Sequence, residues 1–303
     1  MTARTERTAA AARAARAART ARPPRPQPGV QAGRSAARVV KWLFLGALLV
    51  ITIGPVLWLL LSSFKTEPEL FGSPFGLPQK WSLQNFSGAL DAQPLLDYFR
   101  NSVLVAVTST AATIVVATMA SYALLHKFRL NSTARLFLFF GLFVPVSAFI
   151  TPIFYIVYHV GLYNTVWGIA LVYSGITLPT AFLIIKTYMD TIPHEIIESA
   201  QIDGASFHGV FFRVVVPLTG PGLATAAIFL TIAAWNELLY ANLLSENQSA
   251  QTLQVGIRNF LASYAANYPQ AFAATVMAIA PTILAYAFLS NRVITGMTAG
   301  SLK

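Results

Sequence analysis

The sequence predicts an all-α membrane protein of six transmembrane helices, and three observations carry that expectation: composition, the lengths of the apolar runs and the placement of basic residues. Of the 303 residues, 55% are hydrophobic and only 11% charged, with a mean hydropathy of +0.59. A soluble domain this apolar would aggregate. Six apolar runs, at residues 42–61, 101–125, 136–157, 162–185, 218–239 and 271–290, each approach the roughly 20 residues a helix needs to cross a hydrocarbon core. Cysteine is absent, so disulfides, thiolate metal sites and cysteine nucleophiles are excluded.

Residues 1–41 precede the first run as a basic, low-complexity tail. Arg13, Arg16, Arg19, Arg22 and Arg25 recur at every third position, followed by Pro23, Pro24, Pro26 and Pro28. Nothing in it builds a core, so it reads as a solvated segment that brushes anionic headgroups and fixes topology. No aromatic residues interleave with the arginines, which argues against nucleic acid as a partner. The first run starts at Trp42 and is too long for the core of a signal peptide. Residues 42–303 then form the membrane domain.

Residues 136–185 contain no Lys, Arg, Asp or Glu. That block divides at His159–Asn164, because two antiparallel spans need a polar tip and Gly161 supplies a turn. Pro145, Pro152, Pro179 and Pro281 remove backbone donors inside spans and are expected to kink them. With both termini inside, seventeen of the 21 Lys and Arg fall on cytoplasmic segments; only Lys65, Lys80, Arg100 and Arg258 lie outside. This orientation puts the polar stretch between the fourth and fifth runs in the cytosol.

That stretch, residues 190–217, reads as two short helices around a tight turn. Pro193 suits a first helical turn, Asp190 or Thr191 is placed to cap it, and Glu195 and Glu198 lie toward the positive end of its dipole. Gly204 is expected to end the helix in the left-handed conformation, and Ser206 to cap the restart toward Val214.

At these residues the chain resembles the integral-membrane permease subunits of binding-protein-dependent ABC importers. The signature of that family is E-A-A, three residues, G, nine residues, I-x-L-P. Glu198, Ala200, Gly204, Val214 and Pro217 occupy matching positions, with Ser199 and Val216 as mild departures. The resemblance extends to Ser121-Tyr122-Ala123-Leu124 with Phe128, to Trp235-Asn236-Glu237, and to the tail from Arg292 to Lys303. The last two are similar to the smaller permease of the maltose-type, carbohydrate-uptake branch. The resemblance implies a multi-pass subunit of the plasma (inner) membrane with a cytoplasmic coupling helix between the fourth and fifth spans. It also implies a second permease, an ATPase dimer, an extracytoplasmic binding protein and a carbohydrate substrate. The ATPase-coupling residues it points to are Glu198, Ala200, Asp203, Gly204, Ala205, Ser206, Phe211, Arg213 and Pro217.

No G-x-x-x-x-G-K-S/T phosphate loop occurs, so no cofactor is expected in this chain; ATP and magnesium belong to the partner ATPase. The four histidines include no H-E-x-x-H pair, so neither a metal site nor catalytic residues are expected. Asn101, Ser102, Asn236, Glu237 and Tyr286 are polar groups placed to line a translocation path, or simply to join helices. Gln248, Gln251, Gln254, Asn259 and Tyr264 lie in an outer segment that resembles the family's loop into the binding protein; amides and aromatics suit sugar hydroxyls and ring faces. The competing readings are an ion-driven secondary transporter, for which no midplane carboxylates or inverted repeats are visible, an importer of a non-sugar solute such as glycerol phosphate, and a membrane-embedded hydrolase, for which no metal motif or paired intramembrane acids are visible.

Overall fold

The computed structural model describes residues 28–126, 129–262 and 267–299, and every described element is helical. The chain divides into two units, residues 1–58 and 59–303. Helix α1 (Pro28–Ser62) begins well before Trp42. All of its described side chains from Arg38 to Ile53 are exposed, and a helix apolar on every side is stable only in lipid.

In the second unit, α2 (Glu67–Gly72) and α3 (Gln84–Ala92) are short helices that lead into α4 (Leu95–Ala123). Helix α5 (Asn131–Phe140) gives way to a turn and a 3-10 segment (Val146–Phe149) before α6 (Ile150–His159). Next come α7 (Val166–Met189), α8 (His194–Ile202) and α9 (Phe207–Val210). A π turn (Phe211–Val215) and α10 (Val216–Leu218) lead into α11 (Gly220–Asn236). Helices α12 (Leu239–Leu244), α13 (Leu253–Ala262) and α14 (Tyr268–Ala299) complete the chain. Among the described residues, α1, α4 and α7 are each long and apolar enough to cross a membrane, and a fourth such element is the pair Phe207–Leu218 and Gly220–Asn236, bent by 70°.

The apolar run at 136–157 is not one helix. Pro145, which has no N–H to continue a ladder, opens the 3-10 segment in extended conformation, and the break begins at Gly141. A Cβ on Gly141 would lie 2.5 Å from Cγ of Pro179, so this glycine admits the ring of the proline inside α7. The split at His159–Asn164 is a turn with Gly161 at φ +75° and Asn164 at φ +58°. The Thr165 hydroxyl then accepts from the Gly168 N–H at 3.0 Å, so α7 starts at Val166, later than its apolar run.

Helix α4 packs along α7 and α11, and these three form the centre of the second unit. Small hydroxyls join them: the Thr110 and Thr231 hydroxyls lie 3.3 Å apart, as do those of Thr113 and Thr177. Without a hydrophobic force between helices in lipid, such contacts and close packing hold spans together. At the other side of α11, the Trp235 indole donates to the Ala278 carbonyl of α14 at 3.2 Å.

The segment after α1 is tied down by polar contacts. Lys65, only 1% exposed, donates to the carbonyls of Ser73 and Pro74 at 3.0 and 2.9 Å. The Glu69 carboxylate accepts from the Thr66 and Gln79 N–H groups at 2.8 and 2.9 Å. These backbone donors, Thr66 first, hold its pKa below the ordinary carboxylate value. A depressed folded pKa gives a contribution that is present above the unfolded value, roughly 4.3, and lost as pH falls through the folded one. A spin label on Gln79→Cys is expected to keep one mobility from neutral pH down to that range and to loosen below it.

Candidate functional site

The polar stretch 190–217 folds into an elbow whose arms continue into α7 and α11. Its first arm, α8, ends in a Schellman motif: the Gly204 N–H donates to the Gln201 carbonyl at 3.0 Å and the Ala205 N–H to the Ala200 carbonyl at 3.0 Å. Gly204 sits at φ +85°, where an L side chain is strained, and nothing stands within 4 Å of where its Cβ would be. The constraint on this position is therefore backbone conformation, not space. Ala200 and Ala205 pack together against the buried cluster below.

The Ser206 hydroxyl accepts from the Gly209 N–H at 3.1 Å and so opens α9. The expected caps on α8 are absent. Asp190 pairs with the buried Lys186 one turn back, and the Thr191 hydroxyl donates to the Tyr188 carbonyl. Pro193 stands at the cap position itself, so no side chain caps α8.

One aromatic cluster fixes the elbow to the end of α4. The Tyr122 hydroxyl donates to the Phe207 carbonyl at 3.0 Å, and its ring lies 4.8 Å from that of Phe207 and 4.9 Å from that of Phe211. Phe211 is 8% exposed, and Val210 and Val215 are fully buried among Ile185, Met189 and Ala117. His126 meets both Tyr122 and Phe207 at 5.1 Å. The sequence points to Phe211 but not to this cluster, and to Tyr122 only as part of a motif. Glu198, Asp203, Arg213 and Pro217 are exposed, and Glu198 lines a pocket of about 140 Å³ with His126, His194 and Gln201. Arg213 sits in the π turn, a form enriched at functional sites.

The polar groups expected along a translocation path have structural partners. Asn101 donates to the Ser249 and Gln251 carbonyls, both at 2.9 Å, and the Ser102 hydroxyl accepts from the Leu253 N–H at 2.8 Å. Together they bind α4 to the start of α13 and the segment before it. The Glu237 carboxylate accepts from the Tyr240 and Ala241 N–H groups, which caps α12 where the fifth run breaks. Asn236 is exposed and donates to the Ile232 carbonyl at 2.8 Å. The side chain of Tyr286 lies outside the described residues.

Among its described residues, the segment 241–268 is braced rather than a free loop. Gln251 is 7% exposed, donates to the Glu246 carbonyl and accepts from Asn259, so it is a brace. Gln248 is exposed, Gln254 and Asn259 are half-buried, and Tyr264 lies outside the described residues. Replacing Asn101 by Leu leaves two carbonyls without their donor and is expected to cost about 1–3 kcal/mol. The purified assembly should melt several degrees lower while the KM for solute stays constant; a changed KM would assign Asn101 to the path.

Three helices long and apolar enough to span, α1, α4 and α7, a bent fourth element and an elbow tethered to α4 define a helical membrane protein. The family model for the binding-protein-dependent transport system inner membrane component matches residues 112–294, and the chain belongs to this family. It is 35% identical over 91% of its length to the sulfoquinovosyl glycerol transport system permease protein SmoH of Agrobacterium fabrum, covering 97% of that protein. It is 33% identical to the diacetylchitobiose uptake system permease protein NgcG of Streptomyces coelicolor, over 84% of this chain and 85% of the relative. The crystal structure of a bacterial ABC transporter for the acidic polysaccharide alginate contains a chain with the same fold, at TM-score 0.77 and 19% identity, covering 89% of this chain and 99% of that one.

Proposed function

We propose that this chain is one half of the membrane core of an ATP-driven importer for a sugar or oligosaccharide. Six spans pair with a second permease, two ATPase copies dock below, one of them on this elbow, and an extracytoplasmic binding protein delivers the solute. Both termini and the elbow face the cytoplasm. Hydrolysis of ATP with magnesium takes place in the partner. The names of the relatives, which carry glycosides and oligosaccharides, support the substrate class.

The observation that carries the mechanism is the elbow's attachment. Its two arms continue into α7 and α11, and the Tyr122–Phe207–Phe211 cluster clamps it to α4. A force on the elbow is thus delivered to all three central helices at once. The sharp Gly204 turn and the ring cluster keep the elbow from yielding under that force. Closure of the ATPase dimer draws the elbows together and opens the core outward; each state must bind its partners with different affinity for this to work. The carbohydrate assignment is tested by purifying the complex with its binding protein and identifying the retained ligand. A sugar that is then taken up by proteoliposomes only with internal ATP supports the reading, and a retained amino acid or metal overturns the substrate class.

A further inference from the structure

The end of α2 and the loop between α2 and α3 present large apolar side chains that the described residues leave mostly exposed, although Phe71 meets the ring of Tyr268 and Trp81 that of Phe64. Phe75 is 89% exposed, Leu77 73%, Leu83 69%, Phe71 66% and Trp81 63%. This patch is held in shape, since Lys65 grips the Ser73 and Pro74 carbonyls, Glu69 grips the Gln79 N–H, and Asn85 donates to the Ser63 and Lys65 carbonyls at 2.8 Å each. A rigid loop with this much exposed apolar surface is built to be covered. Its anchor points, Ser63 and Lys65, directly follow Ser62, the last residue of a helix long and apolar enough to span. The base of the loop therefore follows directly, along the chain, on the end of a helix long and apolar enough to reach the bilayer surface. Its chemistry fits that depth: a tryptophan and two phenylalanines with one lysine, Lys80, among them. Aromatic rings settle at the headgroup level, and a lysine reaches outward from it.

We infer that residues 71–83 dip into the headgroup and upper acyl layer of the leaflet where α1 ends, as a monotopic foot for the subunit. The foot fixes the depth of the α1 end and gives the cross-braces of Lys65 and Asn85 a purpose: they keep the apolar residues aimed at one surface. The occupant is the lipid surface itself, and the inference is independent of the ATP-coupling reading.

The test uses spin labels, which the absence of cysteine from this chain makes site-specific. The full chain, co-assembled with its partner subunits, is reconstituted in phosphatidylethanolamine–phosphatidylglycerol vesicles with labels on Phe75→Cys, Leu77→Cys and Gln79→Cys. Val50→Cys in α1 serves as the lipid reference and Gln248→Cys as the water reference. Labels at 75 and 77 are expected to collide more often with oxygen than with a water-soluble nickel chelate, as at Val50, and the label at 79 to fall between the references. Preference for the chelate at 75 and 77 would overturn the foot, and low collision with both agents would assign the patch to a protein partner instead. Gln79→Cys leaves the apolar residues in place, so it still reads the depth of the loop if the other two variants fail to assemble.

Discussion

Replacing Gly204 by valine is expected to reduce ATP-driven uptake by about tenfold while ATP hydrolysis by the assembly continues. The residue sits at φ +85°, and an L residue in the left-handed region costs roughly 1–2 kcal/mol, more when β-branched. A difference of about 1.4 kcal/mol is a factor of ten in an equilibrium. Because no atom lies within 4 Å of the missing Cβ, the strain acts through the backbone, and size alone does not set the effect. Asparagine tolerates this conformation, so Gly204→Asn should retain most of the uptake although it is nearly as large as valine. Paired measurement of uptake and phosphate release in proteoliposomes checks the prediction. A valine variant that imports at the native rate would remove the elbow from the mechanism.

The second large effect is expected at Phe211. Deleting a buried phenyl ring costs about 3–5 kcal/mol, and here the ring is one of two by which the elbow meets Tyr122, at 4.9 Å beside Phe207 at 4.8 Å. Phe211→Ala is therefore expected to leave membrane insertion intact, because α4, α7 and α11 keep their own packing, but to loosen the elbow on α4, leaving it held there by Phe207. Uptake should fall further than in the Gly204 variants. The exposed Arg213, two residues along the π turn, offers a direct readout, since trypsin should cut there faster in the variant. Phe212→Ala is the control: its ring is 65% exposed, and its loss should change neither uptake nor cleavage.

The elbow was legible in the sequence because its determinants are local. A glycine that ends a helix, a serine that caps the next and a proline that opens another each act within a few residues, and Gly204 and Ser206 behave as their chemistry requires. The caps assigned to Asp190 and Thr191 failed because both side chains turn back to the end of α7: Asp190 pairs with the buried Lys186, and the Thr191 hydroxyl donates to the Tyr188 carbonyl. Apolar length marked where helices lie, but not where they break. The gap at Gly141–Pro145 depends on Pro179 of α7 occupying the space that a side chain would fill, which no window of residues 136–157 reveals. The same limit explains Asn101 and Ser102, polar groups in an apolar run that suggest a path, and Gln251, placed by resemblance in the loop into the binding protein: each has a backbone partner or acts as a brace, in the case of Asn101 nearly 150 positions away.

The central claim is that an ATPase subunit pushes on the elbow and thereby on three spans. Ile202, at the end of α8 and 85% exposed, is the large apolar side chain best placed to meet such a partner. A single cysteine at that position, in a chain that otherwise has none, is expected to cross-link to lysines of the nucleotide-binding subunit in membranes through a reagent that joins a thiol-reactive and an amine-reactive group by a reducible disulfide spacer. The cross-link should stop uptake, and reduction should restore it. Labelling of Ile202→Cys from the extracytoplasmic side, or import at the full rate with the cross-link in place, would contradict the account.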